Sequence, residues 1–287
     1  MLSHNLRIFL DVADRQSITE TANARYISQP AVSKAIQSLE KELNLKLFYR
    51  DKKKGMIPTD AGQKILLLAR QMEDLENRIR QTAFRENHFI GGRLRVASVP
   101  VTTAVLLSKA LRQYREKYPS VSVEIREGTP AAVKKMVEEH AVDFAVTYAP
   151  FGNLTTEVLI EDEMVGLLPT DSPEETVDLK KDAGRLVLCR AGLETAMEKL
   201  PSRYKEDFAR SLLVQNAQTV VRMVEEGNGV GLISRFTLSP IPHHLRICPV
   251  IPAIGTQIGL IACELDDLTP VAGEFTRMIR EISKNLL

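Results

Sequence analysis

From Ala61 to Thr82 the residues Ala61, Ile65, Leu68, Met72, Leu75, Ile79 and Thr82 recur at spacings of 4, 3, 4, 3, 4 and 3. A heptad repeat of this length specifies one long helix with a narrow apolar seam, flanked here by Lys, Arg, Glu and Asp. A seam this narrow is not buried within a single chain. Ile65, Leu68, Met72, Leu75 and Ile79 are therefore expected to pair with a second copy, the other option being a neighbouring domain. The seam also divides the chain, because the residues before it read as short helices and those after it alternate strand with helix.

The segment before the seam carries its own start and stop signals. Leu6, Phe9, Leu10 and Ala13 repeat as one buried helix face requires. Ser17-Ile18-Thr19-Glu20 fits a capping box, so a second helix is expected from Ile18 to about Arg25. Ser28-Gln29-Pro30 offers a serine cap followed by proline in the first turn, where the missing N–H does no harm. On this third helix Val32, Ile36, Leu39 and Leu43 share one face, which leaves Pro30, Ser33, Lys34, Gln37 and Lys41 on the other. Two short capped helices joined by a tight turn describe a helix-turn-helix. Arg50 and the run Lys52-Lys53-Lys54 before Gly55 then suit a winged hairpin.

Charge supports that reading. The chain of 287 residues has a net charge of +1, but residues 1–54 hold ten Lys/Arg against six acids, leaving the remainder net negative. Such an asymmetry points to a module that faces a polyanion. Composition excludes other classes: 44% hydrophobic and 26% charged residues are ordinary for a globular chain, and the length suggests two or three compact units. No stretch approaches the ~18 uncharged apolar residues of a membrane span, and Arg7 and Asp11 interrupt the start where a signal peptide needs apolar sequence. The expected location is cytoplasmic, with no membrane partner. Cys189, Cys248 and Cys263 are far apart and form no CxxC, so they are read as buried reduced thiols, not as a disulfide framework or a metal site.

After Gly91-Gly92, read as a hinge, the order is RLRVA, a helix around Thr103–Tyr118, VSVEIR, a helix around Pro130–His140, and VDFAVT. Parallel strands with crossover helices are expected, hence an α/β unit. A similar set spans roughly Met164 to Cys263, with GRLVLC, LLVQ, a helix near Ala217–Glu226 and GVGLIS, and a last helix near Leu268–Leu287 returns to the first unit.

Leu6, Phe9, Ser17, Ala22, Ser28-Gln29-Pro30-Ala31-Val32-Ser33, Ile36, Leu39-Glu40, Leu43, Leu47-Phe48, Arg50, Thr59 and Ala61-Gly62 together resemble the N-terminal domain of the LysR-type transcriptional regulators. Gly92-Arg93-Leu94-Arg95-Val96 is similar to that family's effector-domain start, and Gly227–Ser234 to its late glycine-containing strand. The sequence departs at Thr21, usually alanine, at Asn44, usually glycine, and at Arg25, usually leucine, whose aliphatic stem is expected to cover the same apolar surface. The resemblance implies a winged helix-turn-helix over residues 1–58, a dimerising linker helix over 59–90 and a two-lobed, periplasmic-binding-protein-like effector domain over 91–287. Lobe I then takes about 93–162 and 266–287, and lobe II about 163–265. It also implies homodimers that assemble as homotetramers on double-stranded DNA, with RNA polymerase as a partner.

Residue chemistry suits these roles independently. Gln29 can pair with adenine, Ser33 can donate or accept, Pro30 can meet a thymine methyl, and Lys34 can reach a guanine edge or a phosphate, with Gln37 beside them. Arg50, Lys52, Lys53 and Lys54 suit phosphates. In the α/β part, ligands gather at the carboxyl ends of strands and at helix N-termini. Those positions are Ser98, Pro100, Thr102 and Thr103, then Gly128 and Thr129, then Thr147 and Tyr148, and finally Asn216, Gln218 and Thr219. Their hydroxyls and free N–H groups favour a small organic anion such as a carboxylate, and no cofactor or metal is implied. None of His4, His88, His140, His243 and His244 sits in a catalytic motif, so an enzyme is not expected. The alternatives are a solute-binding protein, a DNA-binding protein without a ligand, and a thiol-based redox sensor.

Overall fold

The computed structural model of the chain describes residues 1–51, 53–86, 92–201 and 204–286. Lys52, His88 and Gly91 lie outside them. The described residues divide into two compact units, Met1–Gly92 with Glu139–Ala141, and Arg93–Glu138 with Val142–Leu287.

The first unit begins with α1 (His4–Arg15), α2 (Ile18–Arg25) and α3 (Gln29–Leu43), each started by a serine. Ser3, Ser17 and Ser28 accept from the N–H groups of Leu6, Glu20 and Ala31, satisfying donors that no preceding turn can reach. Asn44 ends α3 in the left-handed region at φ 52°, as asparagine tolerates. The hairpin β1 (Phe48–Asp51) and β2 (Gly55–Pro58) follows, paired antiparallel, and then the long helix α4 (Asp60–Glu86).

One core holds these elements. Ile8, Phe9 and Val12 of α1, Ala22 of α2, and Val32, Ala35, Ile36 and Leu39 of α3 are buried with Leu47 and Phe48, and the rings of Phe9 and Phe48 stand 5.2 Å apart. Each fully buried side chain of that size contributes about 2 kcal/mol. Leu43, expected on this face, is 36% exposed because it lies in the last turn, beyond the reach of α1. Arg25 also departs from expectation. Its guanidinium does not simply reach water but forms an ion pair with Asp11 of α1.

The expected seam of α4 splits in two. Ile65 packs against the core just described, whereas Leu68, Met72, Leu75 and Ile79 are exposed along the rest of the helix. The start of α4 is tied down by close backbone approach: Gly62 N–H donates to Thr59 Oγ1, and a Cβ on Gly62 would stand 2.1 Å from the Leu47 carbonyl oxygen.

The second unit is built on a mixed sheet, with nine strands among the described residues. Its first half runs β3 (Gly92–Ser98), α5 (Pro100–Thr102), a π turn (Thr103–Leu107), α6 (Ser108–Lys117), β4 (Val121–Glu127), α7 (Pro130–Glu138) and β5 (Phe144–Tyr148), and then enters the long strand β6 (Thr155–Leu168). Its second half runs β7 (Val177–Asp178), β8 (Leu186–Cys189), α8 (Arg190–Lys199), α9 (Tyr204–Ala209), β9 (Leu212–Val214), α10 (Ala217–Glu225), β10 (Val230–Ser234), α11 (Arg235–Leu238), β11 (Arg246–Cys248) and β12 (Val250–Ile251). The chain returns through β13 (Gly255–Ala262) and α12 (Pro270–Lys284). Strand order is β4-β3-β5-β13-β6-β10-β8-β9, with β11 also on β6.

Two expectations change. The sheet is not purely parallel, because β13 runs antiparallel to both β5 and β6, and β10 antiparallel to β6. Residues 255–262 also belong with the first lobe and not the second, since β13 pairs with β5 over Ile258–Ile261. The chain therefore crosses back before Gly255, about ten residues earlier than the sequence suggests. β6 is the other crossing: residues 155–163 pair with β13 and residues 164–168 with β10 or β11. The return of the last helix agrees with expectation, as Tyr114 of α6 donates to the Val271 carbonyl at 2.9 Å and stacks edge-on with Phe275. Among the described residues no helix is long and apolar enough to cross a membrane.

A buried carboxylate joins α4 to the start of the chain. Glu76 accepts from Leu2 N–H at 3.0 Å and from Arg7 at 2.6 Å, and Arg80 approaches at 2.8 Å. The Leu2 N–H, then Arg80 and Arg7, hold its pKa down at about 2, against the opposing effect of burial. A carboxylate with a depressed folded pKa stabilises above its unfolded pKa, and that stability is lost as pH falls through the folded value. Glu76→Ala is therefore expected to lower the stability of the first unit by about 2 kcal/mol at neutral pH. In denaturant titrations repeated from pH 7 downward, the gap to the parent should narrow only below pH ~4.5.

Candidate nucleic-acid interface and ligand cavity

In the first unit the burial of one α3 face decides what the other presents. With Val32, Ala35, Ile36 and Leu39 turned inward, Gln29, Pro30, Lys34 and Gln37 are exposed and Ser33 is half-buried. Ser28 is occupied as a cap. These expected base-reading residues share one surface, at the N-terminal end of a helix whose dipole favours negative charge.

The hairpin is held in shape by Asp51, whose Oδ1 accepts from the N–H groups of Lys53 and Lys54, both at 2.8 Å. Those two N–H groups, Lys54 first, keep its pKa below the usual carboxylate value. Gly55 completes the turn at φ 77°, and a Cβ there would lie 2.2 Å from the Gln16 carbonyl, so the hairpin sits directly on the end of α1. Met56 N–H donates to that carbonyl at 2.8 Å. Arg50, Lys53 and Lys54 are exposed as a result, while Lys52, their expected companion, lies outside the described residues.

The basic side chains of this unit sort into two groups. Arg25 pairs with Asp11, Lys46 with Glu40 at 2.6 Å, Arg70 with Asp14 at 2.9 Å, and Arg7 and Arg80 with Glu76. Glu40 is buried and also accepts from Leu47 N–H at 2.9 Å, so its pair fastens α3 to β1. Lys34, Arg50, Lys53 and Lys54 form no ion pair among the described residues, and they lie on α3 and the hairpin. Arg15, Lys41 and Lys64 are likewise exposed without an ion pair among the described residues, but Lys34, Arg50, Lys53 and Lys54 stand where a phosphate backbone can be met.

The second unit contains a cavity of about 520 Å³ between its lobes. Its walls come from the carboxyl ends of strands and the helix starts that follow them: Val99, Pro100, Val101 and Ala104 after β3, Glu127–Thr129 after β4, Tyr148 of β5, Cys189–Gly192 and Thr195 after β8, Gln215–Gln218 after β9, and Ile233, Ser234, Thr237, Pro240 and Ile241 at and beyond β10. Met164, in β6, is also in contact with it. Most of these are apolar. Arg190, at the first position of α8, is exposed and has no ion-pair partner among the described residues. At the polar end, Tyr148 Oη lies 2.8 Å from Ser234 Oγ and 2.9 Å from Thr237 Oγ1. Burial pushes the Tyr148 phenol well above its ordinary pKa, so it is neutral and available as a donor. Asp162, whose Oδ1 accepts from Phe236 N–H at 3.1 Å, is likewise raised by burial. A bond between lobes runs beside the cavity, where Ala131 N–H at the start of α7 donates to Glu194 Oε2 of α8 at 3.1 Å.

Of the expected ligand residues, Pro100, Gly128, Thr129, Tyr148, Asn216 and Gln218 line this cavity. Ser98, Thr102, Thr103, Thr147 and Thr219 do not. Ser98 and Thr102 are fully buried, bonded to each other, and Thr102 donates to the Val99 carbonyl at 2.9 Å. Thr147 is fully buried on its strand, Thr103 lies in the π turn with its hydroxyl buried, and the Thr219 hydroxyl is taken by Asn216 at 3.0 Å. The second-lobe wall, from Cys189 to Thr195 and from Ile233 to Ile241, was missed, although the same strand-end rule applied to GRLVLC and GVGLIS finds its beginning.

Cys189 and Cys248 are buried, and burial raises both thiols above their ordinary pKa, which disfavours the reactive thiolate. Cys263, expected to be buried, is only partly so because it follows the end of β13; its thiol donates to the Val137 carbonyl at 3.3 Å. Among the described residues no group of His, Cys, Asp and Glu could hold a metal ion.

Two family descriptions match the chain: a bacterial regulatory helix-turn-helix protein of the lysR family over residues 3–63, and a LysR substrate binding domain over residues 88–284. The HTH-type transcriptional regulator YoaU of Bacillus subtilis strain 168, itself uncharacterized, is 39% identical over 98% of this chain and 99% of its own. Full-length OxyR from Pseudomonas aeruginosa shares the fold with a TM-score of 0.72 at 19% identity, covering 99% of this chain and 95% of that one. CbnR, solved at full length in a complex with its target DNA, has a TM-score of 0.58 at 15% identity, covering 98% of this chain and all of that one.

The burial of Thr102 yields a test of its role. Thr102→Ala is expected to lower stability by about 1–2 kcal/mol, read by denaturant titration, by removing one of the two partners of the Ser98 hydroxyl and the threonine's own bond to the Val99 carbonyl. A variant as stable as the parent would show that the hydroxyl is not structural.

Proposed function

The chain belongs to the bacterial LysR family of helix-turn-helix transcriptional regulators, and from that premise we propose how its parts act. It is a DNA-binding transcriptional regulator. The observation that carries the rest is that Lys34, Arg50, Lys53 and Lys54, on α3 and the hairpin, are exposed and form no ion pair among the described residues. Gln29, Pro30, Ser33, Lys34 and Gln37 read base edges in the major groove, and Arg50, Lys53 and Lys54, with Lys52, grip phosphates. Leu68, Met72, Leu75 and Ile79 meet a second copy along α4, since four large apolar side chains in a row on an exposed helix favour burial against the same face of a partner. Paired recognition helices then meet major grooves about one turn, ~34 Å, apart. Two such pairs assemble as a tetramer that contacts RNA polymerase from within the cytoplasm.

The cavity binds the effector, a small organic acid. Its apolar wall takes the body of the ligand, and the carboxylate turns toward Arg190, Thr129 and the N–H groups at the start of α10. Binding there favours one arrangement of the lobes, and that preference is the coupling to DNA.

Two measurements test this reading. Gln29→Ala and Ser33→Ala are expected to lose about 1–3 kcal/mol each in discrimination between the DNA upstream of the protein's own gene and random duplex, with random-duplex affinity unchanged. Lys53→Ala and Lys54→Ala should instead weaken both and lower the salt slope by about 1 each; the reverse pattern exchanges the roles. In a thermal-shift screen of small carboxylic acids, a ligand at 100 times its dissociation constant adds about 2.7 kcal/mol of stability. Thr129→Ala and Arg190→Ala should each weaken that ligand about tenfold, and unchanged affinity in both would remove it from this cavity.

A further inference from the structure

Tyr26 occupies a position where neither the backbone nor the core calls for a tyrosine. It ends α2 at φ 54° and ψ 41°, with its N–H donating to the carbonyls of Ala22 and Asn23. Ile27 N–H returns to the Ala22 carbonyl at 3.0 Å, and the Ile27 side chain packs on the core. A left-handed residue in such a turn is ordinarily glycine or asparagine, because a bulky side chain crowds the following carbonyl. The equivalent position of α3 follows that rule with Asn44. A large side chain at this backbone is repaid when it packs, but Tyr26 is 96% exposed, more than any other large apolar side chain among the described residues. Among the described residues no hydrogen bond or ring contact holds its side chain. The fold would be at least as well served by glycine.

What Tyr26 has is a location. Gln29 is three positions further along, so the two lie within about 10 Å, and the intervening turn leads directly into the exposed start of α3. With that start inserted in a major groove about 12 Å wide, an exposed side chain two residues before the cap comes over the sugar-phosphate strand at the groove edge. A phenol suits that surface: its O–H donates to a phosphate oxygen and its ring lies on apolar deoxyribose. We infer that Tyr26 is a DNA-backbone contact that clamps the groove edge beside α3 and sets how deeply the helix enters. The inference rests on α3 entering the groove, and it concerns the phosphate strand, not the bases.

Because the contact is neutral and independent of sequence, it can be measured on random duplex at low salt with the full chain. Tyr26→Gly is expected to bind that duplex about tenfold more weakly, the size of one lost hydrogen bond to a charged acceptor. Its salt slope should match that of the parent, since no cation is lost, whereas Lys54→Ala lowers the slope by about 1. Its unfolding temperature should be no lower than that of the parent, because glycine relaxes the left-handed backbone. Tyr26→Phe, which keeps the ring and loses the donor, should fall between the two. A Tyr26→Gly protein that binds random duplex within about twofold of the parent overturns the inference, as does one whose unfolding temperature drops together with its affinity. If instead Gln29→Ala and Ser33→Ala leave discrimination unchanged, the placement of α3 fails. That result is separate, because it is read as a ratio of two duplexes and not as affinity for one.

Discussion

The first unit depends on the burial of one face of α3. Val32, Ala35, Ile36 and Leu39 can leave water only against Ile8, Phe9, Val12 and Ala22, and a helix that turns those residues inward has no choice about what it turns outward. The same packing positions the hairpin. Phe48 meets Phe9 at its base, the Gln16 carbonyl receives Met56 N–H, and Gly55 comes too close to that carbonyl to carry a side chain. The exposed polar residues of α3 and the free lysines of the hairpin are thus presented by one rigid body, which is what reading a groove while gripping its backbone requires.

Electrostatics refine that arrangement more than they create it. Carboxylates at Asp11, Asp14, Glu40 and Glu76 neutralise the arginines and lysines that lie between elements, and in doing so they fasten α1 to α2, α3 to β1, and α4 to the chain start. Among the cations left without an ion pair are Lys34, Arg50, Lys53 and Lys54, at the surface where a polyanion would arrive. A modest net charge therefore serves better than its size suggests, because its distribution, not its sum, steers association.

In the second unit the crossing strand β6 belongs to both the sheet and the cavity. β6 changes partner at Met164, which itself reaches the cavity, and the polar end of the cavity is assembled from Tyr148, Ser234 and Thr237, drawn from β5, β10 and α11. The remaining wall is largely apolar. Such a site holds a small organic molecule by its body and orients it by a few polar groups. Glu194 of α8, accepting from Ala131 N–H at the start of α7, supplies a bond between the lobes that is independent of any ligand.

The amino-acid sequence by itself determined the serine caps at Ser17 and Ser28, the helix spans around them, the left-handed Asn44 and the outward set on α3, because each follows from groups within four residues of one another along the chain. Tertiary structure alone decided the rest. Ser98, Thr102 and Thr147 sit at strand ends just as Pro100 and Thr129 do, but the first three face buried neighbours and the others the cavity, a difference set by strands far away in sequence. Which lysines remain unpaired, where the chain crosses back between the lobes, and that Ile65 leaves the seam for the core were decided in the same way, by contacts across tens of residues that no local periodicity encodes.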